Sequence, residues 1–176
     1  YLESQPEHPI NVGGDLHPAG DVTGEMYFQQ YRPASFIQES LQRWQAFVGD
    51  AMRTDAISVL DSYPFQNSIR ILLQMDAALD DIREYVAQVE AFVMPLRPAL
   101  IYLSHRDVAH SVQHFSEIGV QRGEAWMDYV ARLIAHCPYG AARHLEGASG
   151  VLVFIGDYKQ LTDALLRESR LPRIIL

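Results

Sequence analysis

Asp61 closes the apolar run Ala56-Ile57-Ser58-Val59-Leu60 and is followed at once by Ser62-Tyr63-Pro64-Phe65-Gln66-Asn67. A carboxylate in that position can orient Mg²⁺ through its bound waters, or accept the proton of an attacking hydroxyl. Ligands of open α/β sheets bind just beyond the carboxyl ends of strands, where such an acid would meet them. An ordinary Asp-Ser turn would use the same residues with no chemistry at all. His105, His110 and His114 raise a metal reading, because His110 and His114 are four apart and Glu117 follows a turn later, at zinc-ligand spacing. No Glu follows His110 as a general base would, and Cys137 is the chain's one cysteine, so a polar helix face is the better reading. Asp76, Asp80, Asp81 and Glu84 crowd a helix start, where the macrodipole favours carboxylates without any catalytic role.

These residues need elements to position them. Residues 1–33 are punctuated by Pro and Gly and read as loop, with a short strand at Tyr1–Glu3 and a brief helix at Met26–Tyr31. From Ala34 to about Met52, Phe36, Ile37, Leu41, Trp44, Phe47 and Val48 recur at helical spacing. A strand is expected at 56–61, then a helix from Gln66 to Met75. Asp80 or Asp81 should cap a helix reaching Val93, with Ile82, Tyr85, Val86, Val89 and Val93 on its buried face. Ala99–Leu103 reads as a second buried strand. Helices are expected from Arg106 to Ile118 and from Glu124 to His136, with a turn at Pro138-Tyr139-Gly140.

Val151-Leu152-Val153-Phe154-Ile155 looks like a strand. Yet Val151, Phe154, Ile155, Tyr158, Leu161, Leu165 and Leu166 keep helical phase, so 151–168 is expected to be a helix. A last strand is expected at the C-terminal end, over 172–176. Strands alternating with helices imply a parallel sheet under helical cover, hence an α/β fold.

Composition bounds the function. The chain of 176 residues fits one domain, and its ends, at Tyr1 and at the apolar Ile174-Ile175-Leu176, lead us to expect further chain on both sides. A net charge of −8 with no basic stripe argues against a nucleic-acid partner. No apolar stretch is long enough to span a bilayer, and the single cysteine excludes an intrachain disulfide, which makes a cytoplasmic setting the natural expectation. The basic residues are thirteen Arg and one Lys, Lys159. Arg suits planar contact with phosphate or carboxylate, although codon bias gives the same skew.

Asp61 to Asn67, with Arg70 one turn on, resembles the acid-bearing strand and following loop of P-loop kinases, in particular the thymidylate-kinase-like branch and its bacterial relatives. Leu100–Leu103 after Arg97-Pro98 is similar to the next sheet strand of that family. Arg122-Gly123-Glu124 to Trp126 and Arg132 resemble its lid region. The resemblance covers roughly residues 56–176 and implies a three-layer α/β domain with a mainly parallel sheet of P-loop type. It also implies a helical lid over about 119–148. The family's defining Gly-x-x-x-x-Gly-Lys-Ser/Thr, whose amides and Lys hold the phosphates, is absent here. Either that element lies upstream of Tyr1 or the chain is a degenerate relative.

The resemblance implies an ATP-dependent nucleotide or small-molecule kinase. Asp61 would act near Mg²⁺, holding it through water, and Arg122 and Arg132 would neutralise charge on the transferred phosphoryl group. Tyr63, Phe65, Gln66 and Asn67 would line the acceptor pocket, and Arg70 would reach the same space. Ten residues apart on one helix, Arg122 and Arg132 would not share a face, so at most one points inward. The competing expectation is a non-catalytic nucleotide-binding or protein-interaction domain of the same fold. Apolar residues at the C-terminal end would be protected by further chain or by a second subunit, which makes a homodimer one expected assembly.

Overall fold

The computed structural model describes residues 32–61, 65–104, 107–122 and 125–176. Helix α1 runs from Pro33 to Ala51. Pro33 sits in its first turn, where no N–H partner is needed, and Phe36, Ser40, Trp44, Phe47 and Val48 form one buried stripe. That stripe packs against α3, Leu79–Val93, whose Ile82, Tyr85, Val86, Val89, Glu90 and Val93 turn inward. Tyr85 joins the two: its hydroxyl accepts from Trp44 Nε1 at 3.3 Å and lies 2.8 Å from Ser40 Oγ, so no polar atom of this contact is left unsatisfied. No side chain caps α3. Ala78 occupies the capping position, and Asp80 and Asp81 lie in the first turn, where the macrodipole favours them.

Between these helices, Phe65–Ile69 forms a single π-helical turn that runs into α2, Arg70–Gln74. After α3, a 3₁₀ turn at Met94–Leu96 leads into strand β1, Leu100–Tyr102. Helix α4 spans Val108–Arg122 and α5 spans Ala125–His136. The expected turn at Pro138 is a short helix, α6, Pro138–Ala142. Pro138 supplies a pre-set first turn, and Cys137 caps it: its Sγ accepts from Gly140 N–H at 3.4 Å and donates to Ile134 O at 3.1 Å. Helix α7, Gly147–Glu168, is the longest and packs on α5. Its residues 151–155 are helical, as their phase predicts. Strand β2, Arg173–Ile175, closes the chain.

Tyr139 ties α6 to α7. Its ring meets Phe154 edge-on and its hydroxyl donates to Asp157 Oδ2 at 2.8 Å, while Arg143 lies 3.6 Å above the ring and also pairs with Asp76. Burial, and then the bond to Asp157, push the Tyr139 phenol up to about 12, with Arg143 offsetting part of the rise. A phenol whose folded value exceeds its free value of 10.0 contributes stability that is complete below pH 10 and lost as pH climbs through about 12. Alkaline unfolding should therefore steepen in that window, and Tyr139→Phe should flatten it when unfolding is followed by circular dichroism.

The expected three-layer α/β architecture of P-loop-kinase type is not the fold. The chain is mostly helical, and among the described residues its sheet has two strands of three residues each, β1 and β2, paired in parallel. The expected strand at 56–61 has no regular secondary structure and, among the described residues, belongs to no sheet, with Ile57 and Val59 92% and 89% exposed. Apolar composition marked the segment as strand-forming; a ladder also needs a neighbour, and among the described residues none pairs with it. The expected lid over 119–148 is part of the helical body: Ile134, Cys137, Tyr139 and Leu145 belong to the main core cluster. Arg122 and Arg132 stand on two helices, α4 and α5, rather than on one. The expected elements at 1–3 and 26–31 lie outside the described residues.

Candidate functional site

The parallel pair β1–β2 is the element on which chemistry or binding could be built. Its register is Leu100↔Arg173, Ile101↔Ile174 and Tyr102↔Ile175. The N–H of Leu100 donates to Pro172 O at 2.8 Å, Leu176 N–H donates to Tyr102 O at 3.0 Å and Ser104 N–H donates to Leu176 O at 3.0 Å. The even residues of β1 thus direct their backbone groups at β2, and Ile101 and Leu103 direct theirs the opposite way, at the edge. Side chains alternate too. Leu100 is buried and Tyr102 half-buried against the helices, while Ile101 and Leu103 stand on the outer face at 63% and 71% exposure. Ile174 and Leu176 share that outer face by register, at 57% and 70%.

Beneath the inner face lies an aromatic and polar cluster. Phe65 is buried and meets the Tyr102 ring edge-on, 5.8 Å between centroids. The Tyr158 hydroxyl of α7 donates to Phe65 O at 3.0 Å. Tyr102 OH lies 3.2 Å from Thr162 Oγ1 and 3.3 Å from Asp163 Oδ1, and Lys159 reaches Asp163 Oδ2 from one turn earlier. Burial raises both phenols above their ordinary range. Asp163 adds to the rise at Tyr102 against the bond from Thr162, and Arg70 eases it at Tyr158. Both hydroxyls therefore stay protonated near neutrality and act as donors, not as bases. Ser68 Oγ is fully buried with no hydrogen-bond partner in the structure.

The expected site residues divide. Phe65 and Arg70 come together around the π turn, with Asn67 half-buried beside them, and Arg70 Nη1 donates to Gln74 Oε1 at 3.1 Å. Asp61 lies at an exposed bend after a segment without regular structure, not at the end of a strand paired among the described residues. Tyr63 lies outside the described residues, and the side chains of Gln66 and Arg122 do as well. Arg132 is exposed on α5, and His136 Nδ1 meets its carbonyl at 2.8 Å. His110, His114 and Glu117 are exposed on α4, and no group of three or more metal-ligating side chains is gathered among the described residues.

Tyr102, Tyr158, Lys159 and Asp163 were missed as site residues. The spacing of Lys159 and Asp163 signals an i,i+4 pair, but nothing local brings Tyr102 to them. A cleft of about 410 Å³ opens elsewhere, between α3 and the end of α7, lined by Val86, Met94 and Leu165 with Arg83, Glu90 and Arg170 at its polar side. It contains none of the residues above. Arg83 pairs there with Glu168 at 3.6 Å, and Glu90 Oε2 accepts the Arg170 backbone N–H at 3.0 Å. No described helix is long and apolar enough to cross a membrane. No family model, curated protein or solved structure matches the chain.

Proposed function

We propose that this chain is a protein-interaction domain whose working surface is the outer face of the β1–β2 sheet, exposed among the described residues. The observation that carries this reading is the row Ile101, Leu103, Ile174 and Leu176, all more than half exposed on one face. Parallel sheets are ordinarily covered on both faces, and contiguous exposed apolar surface of this kind marks a binding site. Covering each of these side chains is worth on the order of 1–2 kcal/mol, a favourable contribution to a complex. The polar groups nearby favour no reaction, because Asp163 is already held by Lys159 and Tyr102 and both phenols keep their protons.

A photo-crosslinking residue placed at Leu103, in the cells that make the protein, tests this. One discrete heavier species is expected from Leu103 and none from Gln38 on the exposed side of α1. Equal or absent crosslinking at both positions overturns the reading.

A second reading is kinase-like phosphoryl transfer from ATP with Mg²⁺ near Asp61, in a chain related to P-loop kinases. It draws support from the turn that carries Arg70, near Tyr158, and sets Phe65 against Tyr102. It requires that ATP with Mg²⁺ raise the melting temperature; a ligand at about 100 times its dissociation constant stabilises by about 2.7 kcal/mol.

A further inference from the structure

We propose that the cleft between α3 and the end of α7 binds a free apolar α-amino acid, its ammonium held by Glu90 and its carboxylate by Arg170. This site is separate from the sheet face of the interaction reading. Glu90 is 6% exposed, on a helix face whose other inward residues are apolar or aromatic. A carboxylate buried that deeply normally has partners for its oxygens. Here Oε2 accepts the Arg170 backbone N–H at 3.0 Å, and among the described residues Glu90 makes no other hydrogen bond or ion pair. Ser68 Oγ is the one sealed side-chain atom without a partner among the described residues, so Glu90 Oε1 is reached from outside, and Glu90 lines the cleft. An ionised carboxylate only accepts. Between Val86, Ala87 and Leu165 its strongest complement is a charged N–H donor.

Arg170 supplies the opposite end. Its backbone N–H is bonded to Glu90, while its guanidinium is exposed and has no partner among the described residues. That planar fork matches a carboxylate, and its flexible side chain is rooted beside the Glu90 carboxylate, within reach of the same small ligand. Arg83 and Glu168 answer each other in the same cleft at 3.6 Å. The two acids and two guanidinium groups balance, so a simple cation or anion is not drawn in, whereas a zwitterion meets an opposite charge for each of its own. Val86, Met94 and Leu165 form an apolar wall for the ligand's side chain to cover. The volume of about 410 Å³ lies toward the lower end of ligand pockets, which suits a small molecule.

The probe is L-leucine, titrated into the full ¹⁵N-labelled chain and followed by amide chemical shifts. Its controls are 3-methylbutylamine, which lacks the carboxylate, and 4-methylpentanoate, which lacks the amine. Saturable shifts are expected at residues 86–94 and 168–170 with leucine, and each control should bind at least about tenfold more weakly. Glu90→Gln keeps an oxygen for the Arg170 N–H and turns an amide NH₂ toward the ammonium, so it should weaken leucine by about tenfold or more. Arg170→Gln, at an exposed position that keeps its backbone N–H, should do the same. Unchanged shifts in α1 and α5 show that each variant is folded, and if Glu90→Gln does not fold, Arg170→Gln decides alone. A purely structural Glu90–Arg170 contact predicts lower melting temperatures with no leucine binding in any form, and that result overturns the proposal. Either control binding as tightly as leucine, or undiminished binding by a folded variant, overturns it as well. Saturable shifts confined to 100–103 and 173–176 move leucine to the sheet face and overturn it too. The Leu103 crosslink is read on a different surface, so failure here leaves the interaction reading standing.

Discussion

Gly140→Ala is expected to destabilise the protein by roughly 3 kcal/mol or more, lowering its melting temperature by about 6–12 °C in a differential scanning calorimeter. A Cβ at position 140 would lie 1.8 Å from the Ile134 carbonyl oxygen and 2.8 Å from its carbon. Both are backbone atoms at the end of α5, so no rotamer change relieves the overlap. The close approach exists because α6 begins two residues after α5 ends, with Cys137 buried between them and bonded to both Ile134 O and Gly140 N–H. Relief would require α6 to move away from α5, and that would pull Tyr139 off Phe154 and Asp157. Gly156, with nothing within 4 Å of an added Cβ, is the matched control. Gly156→Ala on the solvent side of α7 should be neutral or stabilise by up to about 1 kcal/mol, since Ala forms helix better than Gly. Equal melting temperatures for the two variants would disprove the proposed α5–α6 packing.

The helices were legible because a helix carries its own evidence: each buried stripe recurs within one segment. The stripes of α1 and α3 match the periodicity of Phe36 to Val48 and of Ile82 to Val93, and α7 follows helical phase through a run that looks like a strand. A sheet does not carry its evidence locally. Residues 56–61 and 99–103 have the same apolar character, yet among the described residues only the second has a partner, some seventy residues further on at Arg173–Ile175. The kinase-type sheet failed as an expectation for that reason: strand propensity was readable, and pairing was not.

The candidate site shows the same division. Phe65, Asn67 and Arg70 share one turn and could be grouped from their spacing, whereas Tyr102 meets Asp163 across 61 positions and Tyr158 meets Phe65 across 93. The π turn at 65–69 left no mark in the sequence. The apolar run at 56–60 did leave one, but it read as a buried strand, whereas Ile57 and Val59 are exposed.

Trp44→Ala is expected to cost about 3–5 kcal/mol, the range for deleting a large buried aromatic side chain. Trp44 is 2% exposed and stands edge-on to Phe47 at 5.9 Å, on the face of α1 that packs against α3. Removing the indole deletes its transfer energy and leaves a cavity between two long helices, which cannot close over it without repacking Phe36 and Tyr85. The polar side of the contact adds little to the loss. Tyr85 OH keeps Ser40 Oγ as a partner at 2.8 Å, so no buried hydroxyl is orphaned. Trp44→Phe should therefore recover most of the stability, falling short of wild type by about 1–2 kcal/mol for the smaller ring and the lost bond to Tyr85. The order wild type, Trp44→Phe, Trp44→Ala in urea unfolding, at unchanged m-value, is the signature of a packing contact between α1 and α3. Equal losses for the two variants would mean that the hydrogen bond to Tyr85, and not the filled volume, holds α1 in place.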